Sequence, residues 1–415
     1  MNHNKLIVAL ILLIFFVISF LTNILGPIIP DIIDSFTLSI GLAGFLPFSF
    51  FVAYAVMSIP SGILVEKYKE KKMLVLAFTL AFLGAILFAL IPGFAIALTS
   101  LFIIGIGMAI LQVVINPLLR TAGGEEHFAF NSVLGQLAFG AASFLSPMLY
   151  SYLVTNMHTD DISVLFTFLN EMVPENLKWV SLYWVFAVIA FIMVIVVYLA
   201  KFPKVELKED EKIDIGVAFK DLLSNRIVIL YFLGIFCYVG TEQGIANWIS
   251  KFLQSYHGVD PSTTGATVIS YFWGLLTIGC LLGLLLLKFM DSRTVLIGFT
   301  AGAILALLSA LFGPVSWALV AFPLTGFFAS VMWSIIFSLA LNSVPHHHGT
   351  FSGILCTGIA GGALVPLIVG GIAELVGLKL AMLFLLITLG YILSIGIWAK
   401  PLVSNATKNF KDIFR

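Results

Sequence analysis

Phe236–Trp248 reads Phe-Cys-Tyr-Val-Gly-Thr-Glu-Gln-Gly-Ile-Ala-Asn-Trp, which sets a carboxylate, two amides and an indole within two helical turns. The stretch lies inside an apolar run from Ile227 to Phe252, the length of a helix that crosses a bilayer. Glu242 falls near the middle of that run. A charge at such depth costs about 2.5–3.5 kcal/mol on insertion scales, so these groups turn toward a bundle interior or a watery cavity. Gly240 and Gly244 flank it and let a neighbouring helix or a ligand come close. Gln243 and Asn247 add donors and acceptors, and Trp248 adds a flat apolar face. A polyhydroxylated ligand and a cation would need this set of groups together. The alternative is a protonated Glu242 hydrogen-bonded to an adjoining helix.

The chain that must position them has 415 residues, 60% hydrophobic and 10% charged. Soluble domains carry about 25% charged residues, so this is an integral membrane protein. Apolar runs of helical length recur throughout, without the alternating dyads of a membrane barrel, so the fold class is all-α. Windows of about 20 residues give twelve spans, from 6–30 to 379–399. The first run, Leu6 to Pro30, exceeds a signal-peptide core and is read as a retained span. A net charge of zero offers no field for nucleic acid. The three cysteines, Cys237, Cys280 and Cys356, form no CxxC pair and read as packing residues rather than metal ligands. No phosphate-binding loop, catalytic triad or metalloprotease motif is present, so neither enzyme activity nor a cofactor is expected.

Two connections are longer than the rest, Thr155–Lys178 and Lys201–Arg226. The second is dense in charge and divides the chain into a half over 1–200, a linker over 201–226 and a half over 227–415. Residues 215–223 within it read as a short amphipathic surface helix. With the N-terminus in the cytoplasm, all 21 Lys and Arg except Lys178, Lys251 and Lys379 fall on the cytoplasmic side, and an even span count puts both termini there. The expected location is the cell's inner membrane. An internal echo supports the division: Gly62-Ile-Leu-Val-Glu66-Lys67 recurs as Gly283-Leu-Leu-Leu-Leu-Lys288, and the same offset carries Gly105 onto Gly326 and Gly140 onto Gly361. Two parallel six-span halves with a site between them near mid-membrane follow from that pattern.

The basic loop after span two resembles the cytoplasmic motif of the major facilitator superfamily, with Gly62, Glu66, Lys67, Lys71 and Lys72 in its run and Asp291 and Arg293 as the weaker echo. Cations there complement a helix C-terminus and would meet carboxylates in one conformation alone. Phe236-Cys-Tyr-Val-Gly-Thr-Glu resembles span seven of the fucose–galactose–glucose symporters, the glucose/galactose branch in particular. Ile59-Pro-Ser-Gly, Asn116-Pro117, Ser330-Val-Met-Trp and Gly361-Gly-Ala-Leu-Val-Pro are similar to spans two, four, ten and eleven of that family. The resemblance implies a monomeric secondary transporter that imports a monosaccharide or close derivative by symport with H⁺ or Na⁺, Glu242 carrying the ion. A proton-coupled efflux pump for amphipathic compounds is the alternative. The acidic residues of fucose permease in spans one and four fall on Gly26 and Gln112. Its span-five amides fall on Leu134 and Leu137, with Gln136 beside them, and a basic residue of span eight falls on Cys280.

The remaining candidates follow from spacing. Gln112 and Asn116 share one helix face, which needs polar partners, either a ligand or another helix. Asn23 precedes Gly26 and Pro27 in a first span expected to break, a feature of transporter cavities. Asp31 and Asp34 at the mouth are expected to face water, and Gln136 in the Gly-rich fifth span is a cavity candidate. Tyr271, Trp273 and Trp333 are rings able to stack on a sugar, whereas Trp184, Trp317 and Trp398 read as interfacial anchors. The run His346–His348, and Glu125, Glu126 and His127, read as solvated loops.

Overall fold

In hydrocarbon no water meets the backbone, so each apolar run closes its own hydrogen bonds as a helix. The computed structural model describes residues 3–123, 128–159, 164–202, 224–287, 289–344 and 348–402. Among the described residues, twelve helices are long and apolar enough to cross a membrane. Spans one to six are Lys5–Phe36, Ile40–Val65, Glu70–Leu90, Phe94–Ile115, Leu134–Asn156 and Glu175–Leu199. Spans seven to twelve are Arg226–His257, Pro261–Leu286, Ser292–Phe312, Val315–Leu341, Gly353–Val376 and Leu378–Trp398. The expected amphipathic helix over 215–223, the loop at Glu125, Glu126 and His127, and most of the histidine run lie outside the described residues. The connection from Thr155 to Lys178, expected as a loop, contains a helix at Val164–Met172 and a 3₁₀ turn at Glu175–Val180. Phe166 and Leu169 of that helix are buried.

The internal echo is visible as packing. Span two packs on four, three on four and six, and one on five. In the second half, eight packs on ten, nine on ten and twelve, and seven on eleven. Gly105 of span four lies against the Phe50 carbonyl of span two, and Gly326 of span ten lies against the Phe272 carbonyl of span eight. A side chain at either glycine would strike main chain, which is why a glycine recurs there. Spans one to six meet spans seven to twelve where one touches seven, two touches eleven and five touches eight.

Spans one and ten are broken. Span one consists of helices His3–Thr22 and Leu25–Phe36, parted at Asn23–Ile24. Pro27 and Pro30 lack the N–H groups that would bond the carbonyls of Asn23 and Gly26, so the first helix was expected to yield there. Span ten parts at Ser330–Val331, between Val315–Ala329 and Met332–Leu341. The Ser330 carbonyl freed by that break accepts from the Cys280 thiol of span eight at 3.1 Å. Span four, by contrast, stays one helix from Phe94 to Gly123 through Pro117.

The two ends of the bundle differ. At the end remote from the linker, Gly26 abuts the Ala246 carbonyl, and Gly44 lies against the backbone of Leu367. Gly370 lies against the Ile40 carbonyl. Glu374 of span eleven also accepts from the Gly41 N–H of span two at 3.1 Å, on the exposed surface. At the linker end, Gly62 and Gly353 have open space where a side chain would stand. The halves are closed together at the remote face.

Candidate functional site

Glu242 stands midway along span seven. From Thr241 to Ser250 every residue is buried except Glu242, which keeps partial exposure. Gly240 and Gly244 explain the burial of its surroundings: Val365 of span eleven and Leu385 of span twelve pack directly on them. Of the two roles expected for these glycines, the structure uses the approach of neighbouring helices. Glu242 Oε1 accepts from the Tyr238 hydroxyl at 2.7 Å, one turn earlier on the same helix. The Tyr238 ring lies 6.1 Å from Trp333 of span ten, and Trp333 stacks on Phe337 at 5.8 Å. Trp333 is half-buried, leaving part of its ring open. The carboxylate and the aromatic platform are therefore brought together, with a phenol between them.

The amides form a second group, and it crosses the boundary between the halves. Asn23 gives its Nδ2 to Ser143 at 2.8 Å and to Ser19 at 3.3 Å. Its Oδ1 accepts from Gln243 Nε2 at 3.5 Å, and Gln243 Oε1 accepts from Asn247 Nδ2 at 3.5 Å. Asn23, Gln243 and Asn247 are each 5% exposed or less. Both amide–amide contacts are longer than the 2.7–3.2 Å common to good hydrogen bonds. Buried amides held so loosely gain from a ligand hydroxyl placed among them.

The other expected residues are placed as follows. Gln112 is half-buried on span four, and the side chain of Asn116 lies outside the described residues. Gln136 is exposed on span five. Trp273 is 3% exposed, edge-to-face with Phe272 at 5.1 Å, and its indole N–H has no partner among the described residues. Tyr271 is half exposed and stacks on Phe144 of span five. Of the basic-loop residues, Gly62 lies open, and the Lys67 and Lys71 ammonium groups sit over the rings of Tyr68 and Tyr198 at 5.2 and 5.6 Å. Lys72 is exposed, and the Glu66 side chain lies outside the described residues. Asp291 caps span nine and pairs with Arg293 at 3.2 Å, while Arg293 donates to the Ala399 carbonyl at 3.3 Å beyond span twelve.

Two expectations are corrected. Trp248 offers no face to a ligand here: it is fully buried, and its indole N–H donates to the Pro366 carbonyl at 3.2 Å. Asp31 is not simply solvated, because the Tyr150 hydroxyl of span five donates to it, whereas Asp34 is exposed as expected. Both carboxylates line a cavity of about 500 Å³ at the remote face, with Glu175, Lys178 and Trp179 on its wall. It is separate from the Glu242 group. Ser19 and Ser143, bonded to Asn23, and Tyr238, bonded to Glu242, were not singled out from sequence. Ser19 and Tyr238 each stand one turn before a named residue, so their spacing carried a signal; Ser143, 120 residues from Asn23, had none.

The glycine contact between spans one and seven yields a test. Gly26→Val places a side chain against the Ala246 carbonyl and Ile269. Overpacking of this kind costs about 1–3 kcal/mol, and opening the remote face relieves it. A cysteine at Ala43, fully buried in the closed arrangement, should then react faster with a thiol reagent applied from that face, by about 5–150-fold. An unchanged labelling rate would show that the Gly26 contact does not hold that face shut.

The sequence model described as the Major Facilitator Superfamily matches residues 11–365. The chain belongs to that superfamily. The glucose/galactose transporter of Brucella abortus biovar 1 (strain 9-941) is 31% identical to this facilitator over 410 residues, covering 95% of this chain and 94% of that protein. The L-fucose-proton symporter of Escherichia coli (strain K12) is 25% identical over 392 residues, covering 89% and 87%. These relatives fall in the fucose–galactose–glucose family that the span-seven motif resembles. Among solved structures, a bacterial homologue of the human lysosomal transporter Spinster, inward-facing and unoccupied, matches with a TM-score of 0.78 at 15% identity, covering 96% of this facilitator and 97% of that chain. The fold is that of a major facilitator.

Proposed function

We propose that this facilitator imports a monosaccharide or close sugar derivative together with a cation, H⁺ or Na⁺, by alternating access. The observation that carries the reading is Glu242: a carboxylate at the centre of span seven, alone in keeping exposure within a buried stretch. It faces an aromatic platform and adjoins a loose amide chain. The sugar names of the relatives support the same reading, and they do not favour efflux. The halves would comprise 1–200 and 227–415, joined by the 201–226 linker. Asn23, Gln243 and Asn247 would hold hydroxyls, Trp333 would stack on the ring, and Gln112, Gln136 and Trp273 would complete the wall. An exposed Gln136 favours water over lipid at its side of span five, because an unpaired amide in hydrocarbon is costly. No cofactor, catalytic role or nucleic acid enters this reading, and one copy of the chain holds the whole site. Sugar and ion each favour the occluded state, so linkage makes each raise the other's affinity.

The distribution of Lys and Arg supports an inner-membrane protein with both termini in the cytoplasm. The linker face is then the inner one and the closed remote face the outer one, an inward-facing arrangement. Cysteines at Thr159 and Lys201, both exposed, should label with an impermeant thiol reagent from outside and inside respectively, in a background lacking the native cysteines. Labelling of both from one side would overturn the orientation. The transport reading itself is tested by uptake of a labelled sugar panel into proteoliposomes, with H⁺ and Na⁺ gradients imposed separately. No gradient-dependent uptake of any sugar would refute it.

A further inference from the structure

We infer that Tyr238 is a positioning residue of the coupling site, through which occupancy at Trp333 and the charge state of Glu242 act on one another. The inference rests on the proposed sugar–cation symport. Its ground is geometric. Tyr238 is 5% exposed and touches both groups. Its ring faces Trp333 at 6.1 Å and 56°, and its hydroxyl donates to Glu242 Oε1 at 2.7 Å. A ring and its hydroxyl move as one rigid body. A displacement of the Trp333 face by a bound sugar therefore shifts the donor that meets Glu242.

The chemistry at Glu242 gives the contact a direction. A carboxylate accepts only, and the phenol then donates to it. When a proton or a cation occupies Glu242, that oxygen has a new partner, and the phenol is free to turn or to accept from the acid. The facing groups leave Tyr238 in this role. Among the described residues, the Cys280 thiol of span eight is the other titratable group set against Glu242, and it donates to the Ser330 carbonyl. Among the described residues, spans one, ten, eleven and twelve bring no charged side chain to it. Ser330 marks the break of span ten, three residues before Trp333. The phenol thus meets both the ion site and the part of span ten that follows its break.

The test is Tyr238→Phe, which keeps the ring against Trp333 and removes the donor. In proteoliposomes the gradient-driven accumulation ratio should fall about tenfold, the scale of one hydrogen bond to a charged group, while sugar exchange continues. The number of cations entering per sugar should also fall, a quantity that a packing role would leave alone. The double variant Tyr238→Phe/Glu242→Gln gives a second reading. If Tyr238 acts through Glu242, the double variant is no worse in exchange than Glu242→Gln alone. A wild-type accumulation ratio and ion count in Tyr238→Phe, or additive losses in the double variant, would overturn the inference. Its failure is distinct from that of the symport reading, which would show as undiminished accumulation in Glu242→Gln.

Discussion

Glu242→Gln is expected to abolish accumulation of sugar against a gradient while labelled and unlabelled sugar still exchange across the membrane. The substitution keeps the shape of the side chain and its ability to accept from Tyr238, whose hydroxyl lies 2.7 Å away. What it removes is the capacity to gain and lose charge. Under proton coupling the amide imitates the protonated acid permanently, so the loaded carrier can cross but never discharges its proton. Under sodium coupling a hard cation loses its one anionic ligand among neutral groups, and sugar binding loses its sodium dependence. The two cases part on affinity: sugar binding persists in the first and weakens in the second. Both require concentrative uptake to fail. A Glu242→Gln protein that accumulates sugar like the wild type would assign the residue to structure alone.

The second large effect is expected at Trp333. Its indole rests on Phe337 and touches Tyr238, so the ring is already oriented before a ligand arrives. A preset aromatic face gains stacking against the C–H side of a sugar without ordering itself at that moment. Trp333→Ala should weaken sugar binding by about 1–3 kcal/mol, or about 5–150-fold, measured as equilibrium binding to the purified protein. Expression should persist, because the residue is half-buried rather than enclosed. Trp333→Phe, which keeps an aromatic face, should recover part of the loss. Equal affinity in Trp333→Ala and wild type would show that the ring packs span ten and does no more.

Much of the architecture was legible because lipid admits few solutions. A run of about 20 apolar residues must be a helix, and the offset that carries Gly105 onto Gly326 marked a repeat that spans four and ten share in their packing. Asn23 with Pro27 likewise marked the break in span one. The break at Ser330–Val331 had no such mark, since no proline follows it within a turn, and its carbonyl is met by a thiol 50 residues away. Trp248, Trp273 and Trp333 looked alike in sequence, each in an apolar helix. Their fates were set by helix rotation: Trp248 turned inward to full burial, Trp273 keeps 3% exposure, and Trp333 keeps the most open face of the three. A pattern read along one helix does not fix its rotation against five others. For the same reason the Asn23–Gln243 contact, 220 residues apart in the chain, could be named as two candidates but not as a pair.

The contact of Glu374 with the Gly41 amide bears on how the coupling ion must be sought. It lies in water, and it joins the two halves at the face that must part during transport. At 3.1 Å it is far shorter than the Debye length of about 8 Å at 0.15 M salt, so bulk screening leaves it nearly intact. Any added cation can instead pair with the exposed carboxylate in competition with the Gly41 N–H, and a titration with sodium chloride reaches gate and ion site at once. Choline chloride, matched for ionic strength, separates the two. A response that choline reproduces belongs to the clasp, and Glu374→Gln should remove it. A response that sodium alone elicits belongs to Glu242.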